Sequence, residues 1–249
     1  MKFGACEQLG NFFLNWRCRC KTDKPIMKTP LLVLLACALG VSPLRAQNWS
    51  FGAGTGPFVF GDFVRRTLQT GNEGASGQQT TRLSASTRPG LSLDIERNLG
   101  GDRFAIRLEG TFTRAPLAVK GSGSSGVTLD AGKINVGTFT MPLVIRLNPR
   151  GTFRFHVMGG PAYAIYNISR RSNANSTLTP FPGNRGRWGA EFGGGATWQW
   201  SHRFAIEGQI ADITTSSPFQ GSEFPTASAH VQIPRTRNVH TTVGIRYRF

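Results

Sequence analysis

From residue 48 onward, apolar and polar residues alternate with a period of two, and no window carries the 3.6-residue repeat of a helix. That period lets an extended strand turn one face toward an apolar medium and the other toward a polar one. The pattern predicts an all-β chain with segments at about 49 to 60, 81 to 97, 103 to 115, 132 to 147, 152 to 168, 188 to 200, 203 to 213 and 237 to 249.

The connections between these segments alternate in length. Those after the second, fourth and sixth are tight, reading NLGGD, NPRG and SH. The others, at 61 to 80, 116 to 131, 169 to 187 and 214 to 236, are long and rich in Gly, Ser, Thr and Asn. Antiparallel strands joined in order put all the tight turns at one end and all the long loops at the other, the polarity of a transmembrane barrel.

One face of the segments carries Leu83, Ala85, Leu91, Leu93 and Ile95, then Phe104, Ile106 and Phe112, and continues in kind to Val243, Ile245, Tyr247 and Phe249. The other carries Arg82, Arg88, Asp94, Glu96, Arg107, Glu109, Arg146, Arg154, Glu191, Glu207, Arg246 and Arg248. Alternation does not say which face points inward, and a soluble barrel would hide the apolar one. Three features favour lipid outside: strands long enough to cross a membrane at a tilt, aromatics near strand ends (Trp188, Trp198, Trp200, Tyr247, Phe249), and the loop asymmetry. Closure also leaves no unpaired backbone edge in lipid. The expected architecture is an eight-stranded antiparallel up-and-down transmembrane β-barrel. Its lumen would hold a charge network of Arg88, Glu96, Arg107, Glu109, Arg146, Arg154, Glu191, Glu207 and Arg246.

The 249-residue chain carries 29 Lys and Arg against 13 Asp and Glu, a formal charge of +16. Seven of the basic residues precede residue 47, and beyond it there is no basic helix, zinc-finger spacing or aromatic nucleic-acid signature. No nucleic-acid partner is expected. All four cysteines (Cys6, Cys18, Cys20, Cys37) also precede residue 47, which excludes disulfides and thiolate chemistry from the rest. Met27 to Gln47 reads as a secretory signal peptide: a Lys at its start, an apolar core from Leu31 to Val41, Pro43, and Ala46 at the cleavage point. A lipoprotein site at Leu34 to Cys37 competes with it. The expected organisation is an upstream extension over 1 to 26 from a mis-assigned start, the signal peptide over 27 to 46, and the barrel over 47 to 249.

The opening FGAGTGPFVF, the strands FHVMGGPAYAIY and WGAEFGGGATWQW, and the closing VGIRYRF resemble the small outer-membrane β-barrels of Gram-negative bacteria, the OmpA-like and opacity-protein type. The resemblance covers about residues 48 to 249. It implies residence in the outer membrane and contact with its lipid and lipopolysaccharide. It also implies a terminal assembly signal, Tyr247 and Phe249, read by the barrel-insertion machinery. A monomer is expected.

Paired lumen charges read as a salt-bridged plug, since unpaired charge in a narrow interior is costly; a narrow ion path is the alternative. The third long loop carries Arg170, Arg171, Arg185 and Arg187 without an acid, a basic surface able to grip phosphates. Some outer-membrane barrels modify lipid A with Ser and His at the lipid face. Here His156, His202, His230 and His240 are scattered: His202 in a turn, His230 in a long loop, His156 and His240 on the inner face. None has a motif-spaced partner. Metal-ligand spacing is absent. GAGTG at Gly52 to Gly56 lacks the Lys and the helix of a phosphate loop. No catalytic residue, metal or cofactor is expected, and the expected role is in envelope structure or surface interaction through the long loops.

Overall fold

A computed structural model describes residues 49–70, 77–99, 101–122, 128–170, 183–220 and 229–249. The expected extension and signal peptide lie outside the described residues, as does Arg171. The strands are β1 (Trp49–Phe60), β2 (Asp62–Thr70), β3 (Gly77–Ala85), β4 (Arg88–Asn98), β5 (Phe104–Ser122), β6 (Thr128–Thr140), β7 (Leu143–Arg146), β8 (Phe153–Arg170), β9 (Gly183–Gln199), β10 (Phe204–Thr215), β11 (Ala229–Gln232) and β12 (Thr236–Arg248).

These twelve strands make eight staves of one ring, because β1 runs on into β2, β3 into β4, β6 into β7 and β11 into β12. Hydrogen bonding proceeds β1–β4–β5–β6–β8–β9–β10–β12, antiparallel throughout. β1 closes on β12 from Ser50↔Arg248 to Phe60↔Asn238. The β6–β7 break falls at Pro142, which has no N–H for the ladder. Its carbonyl still accepts from the Arg107 N–H at 3.1 Å, so the stave continues past it.

The outer face is apolar where the inner face is charged. Leu91, Leu93, Phe112, Phe139, Phe155, Phe192, Ile210, Val243 and Ile245 all stand exposed. Aromatics collect at its two margins. Phe153 stacks on Trp198 at 6.1 Å and Phe204 meets Tyr247 at 5.1 Å at the turn end; Tyr163 meets Trp188 at 4.9 Å at the other. An apolar band of this extent has no place in water. It is the lipid-facing belt of a transmembrane barrel, with an aromatic girdle at each interface.

Beyond the belt the polarity reverses. β5, β8 and β9 are 19, 18 and 17 residues long, whereas a tilted strand crosses a membrane in roughly 9–11 residues. The surplus, with β2, β3 and β11, forms a rim. Inside it Phe63, Val64, Leu83, Leu117, Val119, Ile134, Tyr166 and Ile168 pack into one buried cluster; outside it Arg65, Arg82, Arg114, Lys120, Lys133 and Arg237 are exposed. The rim follows the rule of a water-soluble barrel, and the belt below follows the opposite rule.

Three sequence expectations change here. Leu83 and Ala85 lie inside and Arg82 outside, because the irregular Ser86–Thr87 step between β3 and β4 shifts which parity points inward. Arg88, just after that step, is exposed and takes no part in the lumen network; Phe58, its cross-strand partner, fills the interior there. Two of the expected long loops are largely strand: 61 to 80 holds β2 and the start of β3, and 116 to 131 holds the end of β5 and the start of β6; in a third, β11 places His230 in a strand paired with Thr67.

Val243 sits midway along the outward face of β12, between Phe249 and Arg237. Replacing it with Arg should destabilise the barrel by about 2–4 kcal/mol, the cost of a cation at bilayer mid-depth. Reversible urea unfolding in lipid vesicles measures this, and a loss below about 1 kcal/mol would place this face outside the hydrocarbon.

Candidate functional site: the charged lumen

Alternation decides which strand supplies which charge. The inward even positions of β4 give Asp94 and Glu96, the inward odd positions of β5 give Arg107 and Glu109, and β7, β9, β10 and β12 add Arg146, Glu191, Glu207 and Arg246. Arg107, only 2% exposed, is the hub. Its Nε and Nη2 donate to Glu96 Oε2 at 2.9 and 2.7 Å. Its Nη1 reaches Glu207 Oε1 at 2.7 Å and Gln209 Oε1 at 2.6 Å.

Arg146 pairs with the other oxygen of Glu96 and donates to Asn98 Oδ1 at 2.9 Å and the Asp102 carbonyl at 2.8 Å. Arg246 ties three staves together: Nε to Glu207 Oε2 at 2.6 Å, Nη2 to Asp94 Oδ1 at 2.7 Å, and Nη1 to Ser50 Oγ at 3.0 Å. Three arginines thus face three carboxylates, Asp94, Glu96 and Glu207, and the cluster is neutral. This is the arrangement in which buried charge is tolerated. Arg154 stands at the turn-end mouth, where its Nε donates to the Gly151 carbonyl at 3.2 Å.

Above this cluster lies a second layer. Gln209 Nε2 donates to Glu109 at 3.0 and 3.3 Å, so Gln209 links Arg107 to Glu109. Glu109, Glu191 and His240 meet here from β5, β9 and β12, with one donor atom of each within 4.8 Å of the others. Phe58 stacks on His240 at 5.1 Å and fixes the ring's plane.

The apolar rim cluster then caps the lumen. Phe63 meets Tyr166 edge-on at 6.3 Å and Phe219 at 5.7 Å, and the Tyr166 hydroxyl bonds Thr215 Oγ1 at 2.8 Å and accepts from Asn238 Nδ2 at 3.0 Å. Phe219 is held over the opening by arginines expected on the outer surface. Arg187 Nε donates to the Ser217 carbonyl at 2.8 Å and Arg185 Nη1 to the Pro218 carbonyl at 2.7 Å. Both lie on the inward face of β9, where they anchor the segment that carries Phe219. Arg170 ends β8.

Of the nine residues expected in the lumen network, Glu96, Arg107, Arg146, Glu207 and Arg246 form it, Glu109 and Glu191 belong to the layer above, Arg154 stands at its mouth and Arg88 is outside. Gln209, Asn98 and Tyr166 were missed, being neutral residues on an inward parity that only the fold reveals as polar. His156 and His240 are buried in the lumen, turned away from the lipid face where lipid A would be reached.

No family model matches the chain, and no curated protein matches it. Among solved structures it is similar to the outer membrane protein OprG from Pseudomonas aeruginosa, at TM-score 0.53 and 13% identity over 82% of this chain and 97% of that one. Also similar are the N-terminal β-barrel domain of OprF from the same organism (TM-score 0.43, 13% identity, 82% and 98% covered) and Ail, the attachment invasion locus protein of Yersinia pestis (0.39, 13%, 82% and 99%). At such identities the likeness is one of fold: this chain has the architecture of the small outer-membrane β-barrels.

Proposed function

We propose that this chain is an outer-membrane envelope barrel that keeps its lumen shut and engages anionic partners from outside, through the basic collar of its rim. The observation that carries this reading is the reversal of polarity just above the belt. Arg65, Arg82, Arg114, Lys120, Lys133 and Arg237 point outward there, against the acids Asp62, Asp130 and Asp212. Asp62 pairs with Arg65 at 2.9 Å and lies 3.8 Å from Arg82, and Asp212 pairs with Arg237, which leaves Arg114, Lys120 and Lys133 as the collar's forward charges. Cations at this height stand level with the phosphates of an outer leaflet built of lipopolysaccharide, and charge-assisted hydrogen bonds to phosphate are the strong kind.

The test is thermal unfolding of the detergent-folded protein with and without lipid A. Bisphosphorylated lipid A should raise the unfolding midpoint of the wild type, dephosphorylated lipid A should not, and Arg114→Ser/Lys120→Ser/Lys133→Ser should abolish the difference. Equal midpoints with both lipids would refute the collar's role. The packed lumen supports a closed barrel over a narrow channel. Discrete openings in planar bilayers that vanish on changing Glu109 or Glu191 would reverse that preference.

A further inference from the structure

Two layers of charge share the lumen, and only the lower one is balanced. The salt bridges of Arg107, Arg146 and Arg246 go to Asp94, Glu96 and Glu207. Glu109 and Glu191 are left over, a formal charge of −2 carried by side chains 2% and 0% exposed. Glu109 has Gln209 for support. Glu191 has weaker support: neither of its buried carboxylate oxygens accepts a well-formed hydrogen bond, although the Thr140 hydroxyl is turned toward it. Both ring nitrogens of His240, itself fully buried, also lack a well-formed hydrogen bond; its Nε2 lies 3.5 Å from Glu109 Oε1. Buried polar atoms are normally satisfied, and leaving several unsatisfied in one place is costly.

We propose that Glu109, Glu191 and His240 bind one divalent cation of the first transition row, with Zn²⁺ the reference ion. A dication cancels the layer's charge and gives the orphaned oxygens and the imidazole a common partner. One imidazole nitrogen with two carboxylates suits Zn²⁺ or Mn²⁺ better than Mg²⁺ or Ca²⁺, which favour oxygen alone. Donors on a tetrahedral zinc stand about 3.3 Å apart, from bond lengths of roughly 2.0–2.1 Å, so rotations of the two glutamate side chains close the present spacing. Thr140, cross-strand partner of Glu109, turns its buried hydroxyl toward Glu191 and offers a fourth donor. Around this set stands the outer support such centres need: Gln209 orients Glu109, and Phe58 holds the ring of His240. A cavity of about 20 Å³ reaches Glu109 from the side of Gly52 and Gly54, room for one water or ion.

The experiment uses the full-length barrel without an affinity tag, folded in detergent, stripped with chelator and equilibrated with buffered ZnCl₂ or MnCl₂. Metal is counted by mass spectrometry, and folding is checked by heat-modifiable gel migration. The wild type should retain one equivalent. Glu191→Gln and His240→Gln should bind at least tenfold more weakly, and His202→Gln, in an exposed turn, should bind as the wild type does. Folded wild type that retains neither ion would overturn the proposal, as would uptake unchanged by Glu191→Gln. If either variant fails to fold, Co²⁺ substitution in the wild type decides. A visible spectrum of a low-coordinate nitrogen and oxygen site supports the assignment, and one indistinguishable from hydrated Co²⁺ refutes it.

Discussion

Arg107→Ala should destabilise the barrel by about 3–5 kcal/mol, the cost of stranding a buried charge. Arg107 serves Glu96, Glu207, Asp94 and Gln209. Without it, three carboxylates share Arg146 and Arg246, and one negative charge is uncompensated in a closed interior. The prediction separates charge from volume. Arg107→Met fills most of the space yet should still be severely destabilised, whereas Arg107→Met with Glu207→Gln removes one charge of each sign and should recover much of the loss. Such a pair in direct contact should show a coupling of about 0.5–3 kcal/mol in a double-mutant cycle. The measurement is urea unfolding in vesicles, followed by tryptophan fluorescence. Additive effects, or an Arg107→Ala barrel within about 1 kcal/mol of wild type, would mean that the lumen charges are individually solvated.

Gly56→Val should abolish the folded, heat-modifiable form. Gly56 lies on β1 at the β1–β12 seam, and a β-carbon there would overlap the Thr241 carbonyl oxygen on β12. Gly244, on the β12 side, has the same relation to the Ala53 carbonyl. The obstacle is backbone, which cannot swing away like a side-chain end, so the seam must part. Overpacking ordinarily costs about 1–3 kcal/mol. Parting a seam in lipid costs more, because each unpaired N–H and C=O there has neither water nor a partner. Gly208→Ala is the control, since an added methyl at that position meets nothing within 4 Å. If Gly56→Val migrates and resists proteolysis as the wild type does while Gly208→Ala behaves alike, β1 and β12 do not approach as closely as described.

The belt was legible in the sequence because one rule operates along it: odd and even positions divide cleanly into lipid-facing and lumen-facing sets from Leu91 to Ile95 and from Phe104 to Phe112. The closure of the first segment on the last follows from the same alternation. The rim was illegible for a physical reason. Its strands obey the opposite polarity, and the Ser86–Thr87 step shifts parity, so Leu83 and Arg82 exchange the faces that simple alternation gives them. In DFVRRTLQT, Phe63 and Val64 are both buried side by side, which destroys the period of two that marks a strand. The upper layer of the lumen site was hidden differently. Glu109, Glu191 and His240 are far apart in the chain and share no motif, and only the register of the closed ring brings them to one height. Arg185 and Arg187 read as surface charge because nothing local signals that a later segment, Ser217 to Phe219, folds back to meet them.

Because the staves remain paired beyond the belt, a macromolecule that binds the rim meets a wall of paired strands. Neighbours on that wall, such as Arg82 and Lys120, come from different strands and are adjacent only through cross-strand pairing. An antibody raised against the folded barrel should therefore read a conformational surface: sera raised against the unfolded chain should bind it poorly, and short peptides copied from one strand should compete weakly.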